Sequence, residues 1–321
     1  MEMKPERRKK LLIIGPLPDL HGIGGVAIHV QRLLGFLDHQ GFSYSFLDYK
    51  GLKPLALLNA LKRTDVVHIH ISKPLFMFAL VVVSRLLGKT TLCTFHGNYG
   101  RYGILKNFLV RISLRLSSFP IVINQHSYKI CKKLNKYLLL IPAFIPPQKE
   151  EILQDDIIAL VERIRENNKT IFSTNAYNIT IDKHGNEIYG IDFLVHYFED
   201  SADKALIVSD PSGNYHKRYS ELESSSVFFI DYPHPYYELL KRVDFFVRNT
   251  STDGDALSVK EALYLGLPAL CTDVVDRPDG ARLFKYCDAV SFENAVNNPS
   301  VRVASIENGA IRLLELYESL I

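Results

Sequence analysis

The sequence predicts two tandem α/β domains, each a mostly parallel sheet with helices on both faces. Three observations predict it. The 321 residues divide, at about 150 residues per domain, into two. Short apolar runs alternate with amphipathic stretches along the whole chain, the pattern of strands joined by crossover helices. Midway, Pro142, Pro146 and Pro147 break the alternation, and the charge changes sign at the same place. The expected boundary is therefore 147/148. An N-terminal domain spans 1–147 and a C-terminal domain spans 148–321, with the last helix free to pack back on the first domain.

The elements follow in order. Residues 11–14 form an apolar run closed by Gly15, a buried strand, and Gly22, Gly24 and Gly25 make a turn. Val26, Val30, Leu33, Leu34 and Leu37 share one helical face, which Gly41 stops. Residues 42–49, 66–71, 90–95, 121–124 and 138–141 read as strands. Residues 75–87, closed by Gly88, read as a buried helix, and 104–116 and 128–134 as further helices. In the second half the strands are 171–174, 205–209, 227–230, 245–247 and 268–271. The helices are 155–166, 191–198, 219–223, 236–243 and 256–265, and an amphipathic helix closes the chain over about 303–320.

Composition narrows the class. With 47% hydrophobic and 23% charged residues, the chain is neither disordered nor a membrane-spanning bundle. Its longest apolar run, 75–83, is well short of the roughly 20 residues of a spanning helix. The basic start is followed only by the apolar residues 11–14, too few for a secretory segment. The four cysteines form no CxxC pair and read as reduced thiols of a cytosolic protein. The net charge of +3 conceals a split: 21 Lys and Arg against 6 Asp and Glu in 1–147, and 17 against 29 in 148–321. The first half is thus expected to meet something anionic.

The most informative loop follows 245–247. It runs from Arg248 through Asp253, Gly254 and Asp255 into a helix carrying Ala256, Leu257, Ser258, Lys260 and Glu261. Free amides at Ala256, Leu257 and Ser258 suit a phosphate, Gly254 lets a ligand approach the backbone, and Glu261 shares a helix face with Ser258. A carboxylate there accepts two ribose hydroxyls. The alternative from spacing alone is that Asp255 only caps the helix and Glu261 is solvated.

Asp253 and Glu261, seven residues lying between them, stand in Thr-Asp-Gly-Asp-Ala-Leu-Ser-Val-Lys-Glu-Ala-Leu, followed by Gly266-Leu-Pro-Ala. This resembles the E-x7-E region of glycosyltransferase family 4, in the Asp-Gly-Asp form of a bacterial surface-polysaccharide subgroup. The segment 273–280, Asp-Val-Val-Asp-Arg-Pro-Asp-Gly, is similar to the same subgroup. Gly24-Gly25-Val26, Asp65-Val-Val-His-Ile-His70, Thr94-Phe-His96-Gly97 and 140–147 resemble further parts of that family, so the likeness spreads over nearly the whole chain. It implies the GT-B fold, two Rossmann-like domains facing across a cleft. It also implies a retaining transferase that uses a nucleotide-diphosphate sugar as co-substrate, with no metal and no other cofactor. Asp253 is then expected near the transferred sugar, Glu261 on the ribose, His96 on a sugar hydroxyl, and Gly24 and Gly25 near an acceptor or donor phosphate.

One departure stands out. The family carries an Arg and, five residues on, a Lys that hold the donor phosphates. Here Tyr177-Asn178 lies near the Arg place and Tyr189 in the Lys place. Arg248, Lys260 and Lys183 are the candidate replacements, and Asn175, at a strand end, is a candidate donor contact. On the acceptor side Arg101, Lys106, Arg111, Arg115, Lys129, Lys132, Lys133 and Lys136 have no acid among them and alternate with Leu105, Phe108, Leu109, Ile112 and Leu116. That face suits an anionic leaflet, at about 1 kcal/mol per well-placed cation, or a polyprenyl-diphosphate-linked glycan. The enzyme is expected in the cytoplasm, peripheral on the inner face of the cell membrane. No basic-aromatic reader motif supports nucleic acid. The rival reading is a non-catalytic nucleotide-sugar-binding subunit with a transferase-like fold.

Overall fold

The computed structural model describes residues 9–18, 25–51, 53–182, 185, 187–222, 224–253, 256–298 and 306–321. Gly22, Gly24, Lys183, Gly254 and Asp255, singled out above, lie outside them, as do Glu223 and 303–305 of the expected helices. The chain divides into two compact units, residues 1–148 with 307–321, and residues 149–306.

The first unit runs β1 (Leu11–Gly15), α1 (Gly25–His39), β2 (Ser45–Asp48), α2 (Pro54–Lys62), β3 (Val66–His70), α3 (Pro74–Leu86), β4 (Thr90–Phe95), α4 (Ile104–Leu116), β5 (Phe119–Val122), α5 (Gln125–Cys131) and β6 (Leu139–Leu140). The second runs α6 (Asp155–Glu166), β7 (Thr170–Asn175), α7 (Ile191–Phe198), β8 (Lys204–Ser209), α8 (Asn214–Arg218), β9 (Val227–Ile230), α9 (Tyr236–Leu240), β10 (Phe245–Arg248), α10 (Leu257–Tyr264), β11 (Ala269–Thr272), β12 (Arg282–Phe284) and α11 (Ala289–Asn297). The last helix, α12 (Gly309–Leu320), belongs to the first unit.

Each unit holds a six-stranded sheet, in the orders β2-β1-β3-β4-β5-β6 and β12-β11-β10-β7-β8-β9. Every pairing between these strands is parallel. The central strands are buried along their length, β1 and β3 without a break, because helices cover both faces. In the first unit α12 completes one side of the core. Ala310, Leu313 and Tyr317 are buried there with Leu33, Phe36 and Leu37 of α1. Gly309 starts that helix so close to the chain that an added Cβ would stand 2.0 Å from the Pro142 carbonyl oxygen.

Several expected elements change. The helix expected at 219–223 lies instead at Asn214–Arg218, behind Gly213 in the left-handed region (φ 71°). At five residues it is too short to show a periodicity. The short helix α2, the strand β12 and the helix α11 were not read from the sequence. α11 had a legible signal: Asp288 caps it, its Oδ1 accepting from the Ser291 amide at 2.7 Å. α3, expected to be buried, exposes Leu75, Phe76, Val83 and Leu86. The apolar row of α4 likewise faces outward: Ile104, Leu105, Phe108 and Leu116 are exposed, while Val110, Ser113 and Leu114 meet the core.

Candidate functional site

In open parallel sheets, ligand sites form beyond the carboxyl ends of the strands, where the strand order reverses. In the second sheet that point lies between β7 and β10, which end in Asn175 and Arg248. Arg248 Nη1 donates to the Asn175 carbonyl at 3.1 Å. Its Nε and Nη2 donate to Asp253 Oδ2 and Oδ1 at 3.0 and 3.3 Å, a forked pair. Arg277 Nη1 donates to the same Oδ2 at 2.8 Å. Its other nitrogens reach the Thr272 carbonyl and the hydroxyls of Thr250 and Thr272. The side chains of Arg248, Asp253 and Arg277 are only 12, 8 and 4% exposed.

Burial by itself penalises the Asp253 charge. The Arg248 charge and hydrogen bonds, followed by those of Arg277, outweigh it and hold the carboxyl below its ordinary range. Burial likewise disfavours the Arg248 charge, and Asp253 more than restores it. Two guanidinium groups against one carboxylate leave one net positive charge at the reversal point. Asp253, expected against a sugar, is thus engaged by two arginines. Arg248 lies over the Tyr189 ring, 4.9 Å from its centroid. The aromatic ring that stands where the resemblance expects a lysine therefore carries a cation on its face. The Asn175 Oδ1 is buried and has no hydrogen-bond partner among the described residues.

α10 begins at Leu257, one residue later than the spacing suggests. Ala256 is its extended N-cap (φ −62°, ψ 112°), and no side chain among the described residues caps it. Alanine has no capping oxygen, so among the described residues no N-cap side chain takes up the first amides of the helix. Ser258 and Glu261 do share a face, and it is buried, at 6 and 5% exposure. Glu261 is therefore no solvated carboxylate. Tyr236, whose hydroxyl lies 3.1 Å from the Ser173 hydroxyl, has its phenol pKa pushed up, chiefly by burial and also by the Glu261 charge. Lys260 is half-buried on the same helix.

In the first sheet the order reverses between β1 and β3, which end in Gly15 and His70. His96 follows β4 directly, and His29 lies in α1. The three rings meet, with centroids 4.9 Å (His29–His96), 5.1 Å (His29–His70) and 5.4 Å (His70–His96) apart. His70 Nδ1 stands 3.2 Å from His96 Nε2. His70 Nε2 stands 3.2 Å from His68 Nδ1, which is 2.5 Å from the Tyr317 hydroxyl of α12. His96, expected to face a sugar hydroxyl, is 8% exposed and directs its Nε2 at another imidazole. Burial first, and then the neighbouring rings, hold His70 and His96 well below the ordinary histidine range, and His68 falls to about 3. All three are neutral at pH 7. Gly25 opens α1. Arg101, Lys106, Arg111, Arg115, Lys132, Lys133 and Lys136 are all exposed.

Solved structures share this architecture end to end. The HepE protein of Anabaena, in complex with UDP and glucose, has a TM-score of 0.65 at 11% identity, covering 98% of either chain. Sucrose-phosphate synthase from Thermosynechococcus elongatus has a TM-score of 0.68 at 15% identity, covering 97% of this chain and 99% of its own. The chain has the GT-B fold. A glycosyltransferase from Rickettsia africae matches similarly, with a TM-score of 0.66 at 13% identity over 98% of this chain and 99% of that one. No protein-family model matches the sequence, and no curated protein matches it.

Sequence reasoning did not single out Arg277, Tyr236, His29 or His70 for a role. A signal existed for the histidines. His70 and His96 fall at consecutive strand ends and His29 in the helix after the first strand, the three places that a parallel sheet brings together. Arg277 carried no such signal, because it reaches Asp253 from a loop 24 residues further on.

Proposed function

We propose that this chain is a retaining glycosyltransferase that moves a sugar from a nucleotide-diphosphate donor to a polysaccharide or lipid-linked glycan. One observation carries the reading: a net cationic Arg248–Asp253–Arg277 cluster stands at the strand ends of the second sheet's reversal point, in the loop that leads to a helix start with no cap from Ala256. A diphosphate is the ligand these features fit. The amides at Leu257 and Ser258 donate to it with no reorganisation as charge builds on the departing group. Arg248 supplies the cation, oriented by Asp253 and stacked on Tyr189. The buried Asn175 Oδ1 accepts from the base or ribose, and Glu261 takes the ribose hydroxyls. Asp253, four residues before the helix start, supports positive charge on the transferred sugar. The transfer so described needs no metal at the diphosphate. The fold likeness to HepE, whose structure holds UDP and glucose, agrees with such a donor.

The acceptor side belongs to the first unit. Ile104 and Leu105 of α4 are 93 and 71% exposed beside Lys106, and Leu86 of α3 is 81% exposed. Exposed apolar side chains among unopposed cations suit a peripheral surface on an anionic leaflet of the inner membrane. Among the described residues no helix is long and apolar enough to cross a membrane.

Thermal shift against UDP-, GDP- and dTDP-sugars tests the donor. A ligand at about 100 times its Kd adds about 2.7 kcal/mol of stability, and the absence of any shift across the panel sinks the reading. Donor hydrolysis or transfer by the purified protein separates an enzyme from a non-catalytic sugar-nucleotide binder. Glu261→Ala is expected to abolish turnover, and retained activity overturns its assignment to the ribose.

A further inference from the structure

The three histidines at the reversal point of the first sheet are not used by the reading above, and their geometry is that of a ligand set. We propose that His29, His70 and His96 bind one zinc-class transition-metal ion, with a fourth position left for an oxygen ligand. This inference rests on the first unit alone and is independent of the transferase reading.

The distances decide between a metal set and casual ring packing. For tetrahedral zinc with Zn–N bonds of about 2.05 Å, ligand nitrogens fall about 3.3 Å apart and imidazole centroids about 5.2 Å apart. Here His70 Nδ1 and His96 Nε2 are 3.2 Å apart, and the three centroid separations are 4.9, 5.1 and 5.4 Å. One nitrogen from each ring lies within 4.8 Å of the others, so the set closes when His29 moves toward the other two.

A carbonyl partner assigns the proton position of His29. His29 Nδ1 lies 2.7 Å from the Ala143 carbonyl, an acceptor only, so it carries the hydrogen and Nε2 carries the lone pair. His68 Nε2 lies 2.8 Å from Thr94 Oγ1, and His68 Nδ1 lies 2.5 Å from the Tyr317 hydroxyl and 3.2 Å from His70 Nε2. In the tautomer with its hydrogen on Nε2, His70 presents the Nδ1 lone pair to the cluster. A metal-binding histidine typically donates its other nitrogen in this way to a fixed acceptor. Ligation moves the proton shared by His70 Nδ1 and His96 Nε2 to the other nitrogen of its ring, so that both present lone pairs. Burial keeps His70 and His96 neutral, the form that ligates a metal.

An all-imidazole set selects the chemical class. It suits zinc, cobalt, nickel or copper and excludes magnesium and calcium, which take oxygen ligands. The ligands come from rigid elements, α1, the end of β3 and the residue after β4. The carbonyl of Ala143 and the His68–Tyr317 pair hold two of them from behind.

The test uses full-length protein without a histidine tag, stripped with EDTA and titrated with ZnCl2 or CoCl2. The expected result is one equivalent bound, with the visible absorption of tetrahedral Co2+, and no displacement by excess Mg2+. His29→Gln and His96→Gln are each expected to lose at least tenfold in Zn2+ affinity, with folding checked by circular dichroism. His126→Gln, on an exposed residue of α5, is expected to bind as the unaltered chain does. The Co2+ spectrum of the unaltered protein needs no variant, so an unfolded variant does not rescue the proposal. No Co2+ absorption band, substoichiometric Zn2+ uptake, or equal losses in His126→Gln and the ligand variants overturns it.

Discussion

The two sheets reverse their strand order in the same way and solve the site there with opposite chemistry. At the β1/β3 reversal the first unit gathers four imidazoles and a tyrosine, and burial holds His68, His70 and His96 neutral. At the β7/β10 reversal the second unit buries two guanidinium groups and a carboxylate and keeps all three charged. The difference teaches that a reversal point supplies only a place. The side chains at the strand ends decide whether it offers lone pairs or a positive field. The surface charges run the other way, since the unit with the neutral site carries the excess of lysine and arginine.

The sharpest way to break this comparison is to remove a charge from the second site. Arg277→Ala leaves Asp253 short of one partner in a buried setting and is expected to cost about 3–5 kcal/mol. Urea unfolding measures it, and a loss below about 1 kcal/mol would place the cluster in solvent-like surroundings. Arg248→Leu tests the field itself: turnover with the preferred donor is expected to fall roughly 10²–10³-fold, whereas Lys260→Ala has a smaller effect. Steady-state kinetics on both variants decide it.

The two sites also differ in acid. In the metal-free protein His68 has a folded pKa near 3 against about 6.5 unfolded. Between these values the unfolded chain binds the extra proton, so stability is lost as pH falls. At pH 5 that amounts to about 2 kcal/mol. Asp253, with its pKa held low, gives up its contribution only below the ordinary aspartate range near 3.8. Hydrogen exchange, corrected for intrinsic rates, is therefore expected to show β3 and β4 loosening at pH 5 while β7 and β10 stay protected. Equal loosening would remove the contrast. A smaller effect concerns the tie from α12 to the histidines. Tyr317→Phe deletes the hydroxyl at His68 Nδ1 and is expected to cost about 1 kcal/mol. Thermal denaturation, where a 1 kcal/mol change shifts Tm by about 2–4 °C, reads it.

Much of this was legible before any coordinates. The alternation of runs such as 11–14, 66–71 and 90–95 with helical stretches marked nearly every sheet strand, because a strand covered on both faces must be apolar throughout. The prolines at 142, 146 and 147 marked the division between units. β12, α2 and α11 escaped. β12 has only three residues, with a single fully buried position, and α2 buries only Leu61. The outward turn of Phe108 and Leu105 was equally hidden, since periodicity shows that a helix has two faces without saying which one meets the core.

The sequence by itself determined the architecture and the place of the loop from Arg248 to Glu261, because hydrophobic period, glycine stops and strand-end position are local properties. Only the tertiary structure decided that Asp253 is clasped by Arg277, that Arg248 rests on Tyr189, and that His29, His70 and His96 converge. Those contacts join residues far apart in the chain, and the register of a parallel sheet, which brings them together, is set by packing across the whole unit.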